Sequence, residues 1–447
     1  MLTMAQPAAA GGIYTELFNF DCAVDGCDPL SPALLAQGED GILYSTLASG
    51  TSQSGNGTVV DYTPGGSLGV VYRFQSGDGH APQSGLTLGF DGAFYGTTTN
   101  GGGAGKGTVF RLANGVMTIL YEFTDGADGA FPWAPPVQTP DGNLYGVTYN
   151  GSHPGVVYRI TPGGKFSTIA TAPSKTTAPL VMAVDGNFYG TSQYGGDFNQ
   201  GTVFRLSTKG SLRVIHSFNA SGEGATPIAP ILIGADGKFY GTTSAGGTLS
   251  NGVVYQLSSG GAYKVLHNFD ASSEGSNSTA GLVQGSDLYL YSAMSSGGVN
   301  GYGTLYRLKT TGQKFQVLHE FDFQDGAYPG ATPTLDTSGV IYGFATKGGG
   351  GENGTSGVLF SYTHGLKPFI ALQRWSGAEG TQVGILGQGF LAATNVEFGT
   401  LVANYTVIGD NYMIATVPAG ARTAKVTVSE PGGNLVTLRK FKVLAAG

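Results

Sequence analysis

The sequence predicts an all-β protein: a seven-bladed β-propeller closed by its own N-terminal strand, followed by an immunoglobulin-like β-sandwich. Glycine makes up 77 of the 447 residues, which suits many short strands joined by tight turns. A tyrosine followed six residues later by glycine recurs seven times, at intervals of about 50 residues. From Lys367 onward this period is lost, and short alternating strands with Gly and Pro turns take its place.

The recurring tyrosine marks the second strand of each repeat. In the fifth copy the strand-like pieces are APILIG, KFYGTTS, GVVYQLS and YKVLHNF, separated by an Asp-Gly turn, a Gly-rich loop and a Ser-Gly-Gly turn. Four antiparallel strands in about 50 residues are typical of a propeller blade. The seven tyrosines are Tyr44, Tyr95, Tyr145, Tyr189, Tyr240, Tyr291 and Tyr342.

The two ends of the repeat region complement each other. The chain opens with IYTELFNF, which matches the fourth strand of the repeat, whereas the seventh copy stops after its third strand, GVLFSYT. We therefore expect residues 13–366 to form a ring in which the N-terminal strand completes the last blade. The alternative, an open solenoid, would need capping repeats, and the sequence contains none.

The start of the chain and the two cysteines are the features of the sequence that indicate secretion. Residues 1–12 are interpreted as the remnant of a leader, and no apolar run is long enough to span a membrane. Cys22 and Cys27 flank an Asp-Gly turn and are predicted to form a disulfide, with two free thiols as the alternative. The net charge of −7 without a basic cluster argues against nucleic acid as a partner.

The last part of the chain, residues 367–447, resembles the IPT/TIG family of immunoglobulin-like domains. The resemblance implies a module that packs, spaces or presents its neighbours, and it implies no chemistry. The matching residues are Gly380, Thr381, Val383, Ile385, Gly387, Gly389, Phe390, Val396, Phe398, Gly399, Ala403, Ala415, Val417, Pro418 and Ala421.

The repeats, such as DGAFYGTTTNGGGAGKGTVFRL, resemble the GloVer tandem-repeat family of bacterial surface and secreted proteins. The resemblance covers about residues 13–365 and implies an extracellular or cell-surface location. It supplies no activity that can be carried over to any residue. The chain departs from the family pattern in lacking a recognisable C-terminal anchor, which puts direct attachment to the cell in doubt.

Acidic turns recur on the face of the predicted propeller that also carries the Gly-rich loops. A ring of carboxylates there could hold Ca²⁺ in the channel, or supply paired acids for glycoside hydrolysis. The favoured interpretation is that each acid caps its own turn, because the motif occurs in nearly every repeat. No other cofactor and no metal motif is expected. The acids are Asp25, Asp78, Asp128, Glu223, Glu274 and Asp325.

Departures from the repeat are better candidates for a single functional site, because one site needs only one copy. They fall in the second to fourth repeats, on the same predicted face. His216, His267 and His319 recur at one place in the fourth strand and are interpreted as structural. The catalytic candidates are His80, Tyr149, His153 and Tyr194; the ligand-binding candidates are Asp78, Asp128, Trp133, Lys175, Asp197 and Glu223.

These features predict a secreted or cell-surface bacterial protein that binds an extracellular glycan or another surface protein through its loop-rich face. One alternative is a carbohydrate-active enzyme, a polysaccharide lyase or a glycoside hydrolase. In a lyase a Tyr or His would take the proton next to a uronate carboxylate. The other alternative is a structural subunit that self-assembles into a surface layer or fibre. An aromatic patch without converging titratable groups would favour binding.

Overall fold

The computed structural model is built almost wholly from β-strands. In the described part of the chain the one helix is a 3₁₀ turn, Phe390–Ala392. The predicted leader remnant falls outside that part except for Gly11 and Gly12. The structure describes residues 11–27, 35–49, 55–75, 77–149, 151–349 and 356–445.

Six four-stranded antiparallel sheets follow one another along the repeats, each made of four consecutive strands. Sheet 1 contains β2 (Ala36–Gln37), β3 (Leu43–Leu47), β4 (Thr58–Tyr62) and β5 (Leu68–Arg73); sheet 2 contains β6 (Thr87–Leu88), β7 (Phe94–Thr98), β8 (Thr108–Ala113) and β9 (Val116–Glu122); sheet 3 contains β10 (Val137–Gln138), β11 (Leu144–Val147), β12 (Val156–Ile160) and β13 (Phe166–Thr171). Sheet 4 contains β14 (Val181–Met182), β15 (Asn187–Ser192), β16 (Thr202–Ser207) and β17 (Leu212–Ser217); sheet 5 contains β18 (Leu232–Ile233), β19 (Phe239–Thr242), β20 (Val253–Leu257) and β21 (Tyr263–Asn268); sheet 6 contains β22 (Val283–Gln284), β23 (Tyr289–Met294), β24 (Thr304–Lys309) and β25 (Gln316–Glu320).

The seventh sheet joins the two ends of the repeat region. Its order is β26 (Thr334–Leu335), β27 (Val340–Ala345), β28 (Val358–Thr363) and β1 (Ile13–Asn19), so the N-terminal strand occupies the predicted place. β1 runs antiparallel to β28. A buried cluster joins Leu43 and Val60 of sheet 1 to Tyr342 and Phe344 of sheet 7. The first and last sheets therefore share a hydrophobic core, as a closed ring requires.

The tyrosine–glycine signature has a structural cause: in five of the repeats that the structure describes, the tyrosine hydroxyl bonds to the aspartate four residues before it. In the fifth copy the Tyr240 hydroxyl donates to Asp236 Oδ2 at 2.8 Å, which ties the second strand to the Asp-Gly turn before it. Gly246 has φ +73°, and a Cβ there would lie 2.8 Å from the Gly224 carbonyl carbon. Only glycine combines that conformation with so close an approach. The tyrosine and glycine of the repeat therefore reflect one hydrogen bond to a turn and one close contact between loops.

Two further four-stranded sheets and a two-stranded pair form the C-terminal region. They share one core, in which Val383 and Met413 of one sheet meet Val396 and Val428 of the other. The first sheet has the order β29 (Ala371–Leu372), β31 (Gln382–Leu386), β35 (Tyr412–Thr416) and β34 (Tyr405–Gly409); the second has β33 (Leu401–Val402), β32 (Asn395–Phe398), β36 (Val426–Glu430) and β37 (Gly433–Val436); the parallel pair is β30 (Ser376–Gly377) and β38 (Lys442–Val443).

The repeat sheets have two ends. We call the surface formed by the loops between second and third strands, and by the loops from one sheet to the next, the loop face. The opposite surface, formed by the turns after first and third strands, is the turn face. The C-terminal region bonds to the turn face: Gln373 Nε2 donates to Glu39 Oε1 at 3.0 Å, and Asn411 Nδ2 donates to the Asp40 carbonyl at 2.9 Å.

Contacts with the turn face continue around the ring. Lys442 Nζ donates to the Val184 carbonyl of sheet 4 at 3.0 Å, and the Phe369 amide donates to the Thr337 carbonyl of sheet 7 at 3.0 Å. Within the residues described, the hydrogen bonds recorded between the two regions all lie on the turn face. The loop face is therefore the surface on which the predicted site residues meet solvent.

Candidate functional site

The loop face has a repeated backbone scaffold. The loop entering a sheet pairs with the loop between that sheet's second and third strands, as in the antiparallel bridges His80–Asn100 and Ala225–Ala245. The His80 amide donates to the Asn100 carbonyl at 2.8 Å. These bonds hold each entering loop in place through its main chain, whatever side chains it carries.

In the loops that enter sheets 2 to 7, one residue at a shared position has left-handed backbone geometry without being glycine. The φ values run from 53° at Lys175 to 58° at Thr226. This conformation costs about 1–2 kcal/mol for a residue with a Cβ. Backbone bonds oppose that cost, since the Phe131 amide donates to the Lys106 carbonyl of the preceding sheet at 2.9 Å. We call this set the left-handed ring: Ala81, Phe131, Lys175, Thr226, Asn277 and Tyr328.

An aromatic and cationic cluster lies on the loop face of sheets 3 and 4. Trp133 and Lys175 come from entering loops, and Tyr149 and Tyr194 come from the loops between second and third strands. The Trp133 and Tyr149 ring centroids are 5.6 Å apart. Lys175 Nζ lies 5.6 Å from the Tyr149 centroid and 5.1 Å from that of Tyr194. All four side chains are partly exposed.

Beside this cluster a second cation is held by a carboxylate. Lys106 Nζ lies 5.1 Å from the Phe131 centroid and 2.9 Å from Asp125 Oδ2. The hydrogen bond from Lys106, with two more from Ser152, lowers the pKa of Asp125 to about 2. His153 Nδ1 lies 3.0 Å from the Asp125 carbonyl. The sequence reasoning missed Asp125, although the doubled motif TDGADG set this turn apart from the others.

Five of the six recurrent acids accept hydrogen bonds within their own turns, in agreement with the capping interpretation; the contact recorded for the Glu223 carboxylate is with His216. Asp128 is buried and accepts hydrogen bonds from the Thr124 amide and hydroxyl at 2.8 and 2.7 Å, and from the Tyr121 hydroxyl at 3.1 Å. Burial raises its pKa, but these hydrogen bonds outweigh burial and leave it lowered. Asp78 accepts from the Tyr72 hydroxyl at 2.6 Å.

The histidines of the fourth strands connect those acids to the next sheet. His319 Nε2 lies 2.8 Å from Asp325 Oδ2, and the His319 ring stacks on Tyr14 with centroids 3.8 Å apart. His216 repeats the arrangement more loosely, 3.8 Å from Glu223 and stacked on Tyr263 at 4.0 Å. His267 stacks on Phe315 and pairs with Glu274. These histidines therefore join neighbouring sheets.

The remaining predicted site residues lie apart from the cluster. His80 and Asp197 are exposed, and Asp197 lines a groove of about 330 Å³ with His216. Of the four catalytic candidates, Tyr149 and Tyr194 share contact with Lys175, whereas the contacts recorded for His80 and His153 are with other residues. No three potential metal ligands lie together among the residues described, and Ca²⁺ in the channel stays a prediction.

The predicted disulfide is present. Cys22 and Cys27 are bonded, with their Cα atoms 4.7 Å apart, and the bond closes the Asp-Gly turn beside sheet 1. None of the helices in the described part of the chain has the length and apolar character that crossing a bilayer takes.

Repeated four-stranded sheets, closed through the N-terminal strand, define the chain as a repeat β-propeller. The model of the Gloeobacter/Verrucomicrobia repeat family matches residues 6–179 and 154–357. The chain belongs to this family. No curated protein sequence matches it.

Solved structures show a distant likeness in fold alone. A provisionally named 6-phosphogluconolactonase from Bacteroides uniformis is 16% identical, with 68% of this chain and 88% of that chain covered and a TM-score of 0.47. A gluconolactonase from Xanthomonas campestris is 12% identical, with 81% and 99% covered and a TM-score of 0.40. TolB from Acinetobacter baumannii is 14% identical with a TM-score of 0.40; 64% of this chain is covered, and this chain spans 63% of TolB's length.

Proposed function

We propose that the seven repeat sheets are the seven blades of one propeller over residues 13–366, and that residues 367–447 form an immunoglobulin-like sandwich of the IPT/TIG type. Residues 1–12 are the leader remnant in this proposal. The sheet order and the core shared by sheets 1 and 7 support the first assignment. The common core of the two C-terminal sheets supports the second.

We propose that the protein is an extracellular or cell-surface bacterial binding protein that holds an acidic polysaccharide on its loop face. The observation that carries this proposal is the cluster in which Lys175 Nζ lies over the rings of both Tyr149 and Tyr194, with Trp133 against Tyr149. The family match and the disulfide support the location.

The chemistry of the cluster suits a sugar that carries a carboxylate. Aromatic rings offer flat apolar surfaces on which the C–H faces of a pyranose can stack. An ammonium group beside them can donate charge-assisted hydrogen bonds to a uronate oxygen. Lys175 is held by the backbone geometry of the left-handed ring, so little order has to be created when ligand binds.

The test is retention on two forms of one polymer. Polygalacturonate carries free carboxylates, and its fully methyl-esterified form presents the same sugars without charge. We expect affinity electrophoresis to show stronger retention on polygalacturonate. Trp133→Ala and Tyr149→Ala should each weaken binding by about 2 kcal/mol, or roughly thirtyfold in Kd. Lys175→Met should remove the preference for the charged form.

A matched control is Tyr328→Ala, since Tyr328 belongs to the left-handed ring, as Lys175 does, but lies in the loop that enters sheet 7. Its binding should equal that of the unmodified protein. The proposal fails if the three cluster substitutions leave retention unchanged, or if Tyr328→Ala weakens it equally. Release of unsaturated uronates or of new reducing ends, abolished by Tyr194→Phe or His153→Ala, would instead favour the enzyme alternative.

A further inference from the structure

Two cavities lie side by side where the C-terminal region meets the turn face. The first has a volume of about 250 Å³ and is lined by the apolar side chains of Val181, Ile231 and Phe369, together with Trp375. The second, of about 310 Å³, is lined by polar groups as well. Ile233 and Arg439 line both cavities. The two spaces therefore adjoin at Ile233 and Arg439.

Arg439 is partly buried and has no acidic partner among the residues described. Its guanidinium carbon lies 3.9 Å from the centre of the Trp375 ring, which covers one face of the group. None of the ion pairs among the described residues includes Arg439, and the hydrogen bond recorded at this residue is accepted by its main-chain carbonyl from Thr437. Burial lowers the pKa of Arg439 to about 10. A partly buried cation without a counter-charge gives up part of its hydration, and an incoming anion offsets that loss.

The charged side chains that line the second cavity have a net positive charge. Lys440 and Lys442 line it, and Lys442 Nζ donates to a main-chain carbonyl at 3.0 Å. Asp185 and Asp236 also line it, and their carboxylates accept hydrogen bonds of 2.8 Å from the second-strand hydroxyls of Tyr189 and Tyr240, so with Arg439 the cavity has three cations against two anions. The donors of Arg439 are thus the groups best placed to recognise an anion.

We propose that this cleft binds a small organic acid, with its carboxylate on the edge of the Arg439 guanidinium and its apolar body in the cavity beside Val181, Ile231 and Trp375. A guanidinium presents parallel N–H donors that match a carboxylate in bidentate fashion. The cavity volumes limit the ligand to a molecule with a short chain or a single ring. This site lies on the turn face and is independent of the glycan proposed for the loop face.

The experiment measures binding to the full-length protein by calorimetry and by thermal unfolding. The probes are benzoate, phenylacetate and hexanoate, with phenylacetamide as the neutral analogue and inorganic phosphate as an anion without an apolar body. We expect at least one of the three acids to bind. At a concentration of about 100 Kd it should raise the unfolding midpoint by roughly 3 °C. Phenylacetamide and phosphate should bind at least about tenfold more weakly.

Two substitutions test the geometry separately. Arg439→Lys keeps the charge but loses the bidentate fork, and Val181→Trp fills the apolar cavity without touching the cation. Each should weaken binding of the acid at least about tenfold. Arg374→Lys is the control, because the Arg374 Nε donates to the Ser376 carbonyl at 3.0 Å and the side chain lines neither cavity. It should leave binding unchanged.

The proposal is overturned if none of the three acids binds, if phenylacetamide binds as well as phenylacetate, or if Val181→Trp leaves binding intact. Should Arg439→Lys fail to fold, Val181→Trp still decides the question. Retention on polygalacturonate, measured with the same preparations, stays unchanged in either outcome. The failure of one proposal is thereby distinguished from the failure of the other.

Discussion

Tyr14 closes the ring, and its removal tests that role. Its ring stacks on His319 at 3.8 Å and meets Phe321 edge-on at 5.7 Å, while its hydroxyl donates to the Asp325 carbonyl at 2.6 Å. Truncating a buried aromatic side chain costs about 3–5 kcal/mol, and Tyr14 is partly exposed, so Tyr14→Ala should cost about 3 kcal/mol. Tyr14→Phe keeps the ring and should cost about 1 kcal/mol.

A matched variant separates ring closure from local packing. Tyr263 stacks on His216 at 4.0 Å and its hydroxyl donates to the Glu223 carbonyl, so Tyr263→Ala removes equivalent contacts. Calorimetry should show both alanine variants losing about 3–5 °C in the unfolding midpoint, because a ring of about 350 residues unfolds with an entropy of roughly 0.7 kcal/mol/K. Because β1 is joined to β28 by hydrogen bonds and packing alone, only Tyr14→Ala should speed amide exchange in Val358–Thr363.

This reasoning about closure is refuted by either of two results. The first is a change of less than about 1 °C in the midpoint of Tyr14→Ala, which would mean that the stacked ring contributes little. The second is equal acceleration of exchange in Val358–Thr363 by Tyr263→Ala, which would mean that β28 depends on the stability of the whole ring rather than on β1.

Two further predictions concern the fourth strands and the turns that follow them. Burial lowers the pKa of His216, with Glu223 opposing the shift in part, so the unfolded chain takes up a proton more readily than the folded one. The unfolding midpoint should therefore fall as pH is lowered from about 7 through about 6.5, and His216→Phe, which retains stacking on Tyr263, should flatten that dependence; an unchanged slope would contradict it. Asp128→Ala leaves donors in the turn without their acceptor and should cost about 2–3 kcal/mol, whereas the exposed Asp197→Ala should change stability by less than about 0.5 kcal/mol. Equal midpoints for these two variants would show that the hydrogen bonds of Asp128 do not support its turn.

The strand order of the ring follows from the sequence because it depends on local chemistry. The N-terminal strand IYTELFNF carries the fourth-strand pattern, and it pairs with β28 as expected. First strands are shorter than their apolar runs suggest. APILIG yields only Leu232–Ile233, since Pro230 cannot donate to a ladder and Gly234 already begins the next turn.

The aromatic cluster could be predicted only in part. Trp133, Tyr149, Lys175 and Tyr194 were selected as departures from the repeat, but nothing in the sequence brings Lys175 over two rings. That arrangement depends on the backbone of the entering loops. Four members of the left-handed ring share a sequence signal, a non-glycine residue before proline after Asp-Gly or Glu-Gly, although residues before proline ordinarily avoid helical geometry. Lys175 and Asn277 are not followed by proline.

The interface between the two regions could not be predicted from the sequence. The partners Gln373 and Glu39 lie at opposite ends of the chain, and neither belongs to a motif. Arg439 and Trp375 likewise belong to no motif in the sequence, and only the fold brings the guanidinium of one over the ring of the other. Long-range pairs of this kind leave no periodic trace in a single sequence.

In the left-handed ring the main chain and the side chains have separate roles: the main chain holds each loop in place, and the side chain is the part that can contact a ligand. Each ring residue is fixed by its main chain, so its side chain can change from alanine to lysine to tyrosine while the loop keeps its path. A new preference for a ligand could therefore arise, or be engineered, by substituting one residue in an entering loop, with no compensating change elsewhere. The six positions could be varied in combination while the backbone of the loops stays constant. Ala81→Phe and Ala81→Lys, which copy the residues found at Phe131 and Lys175, are the simplest variants to make.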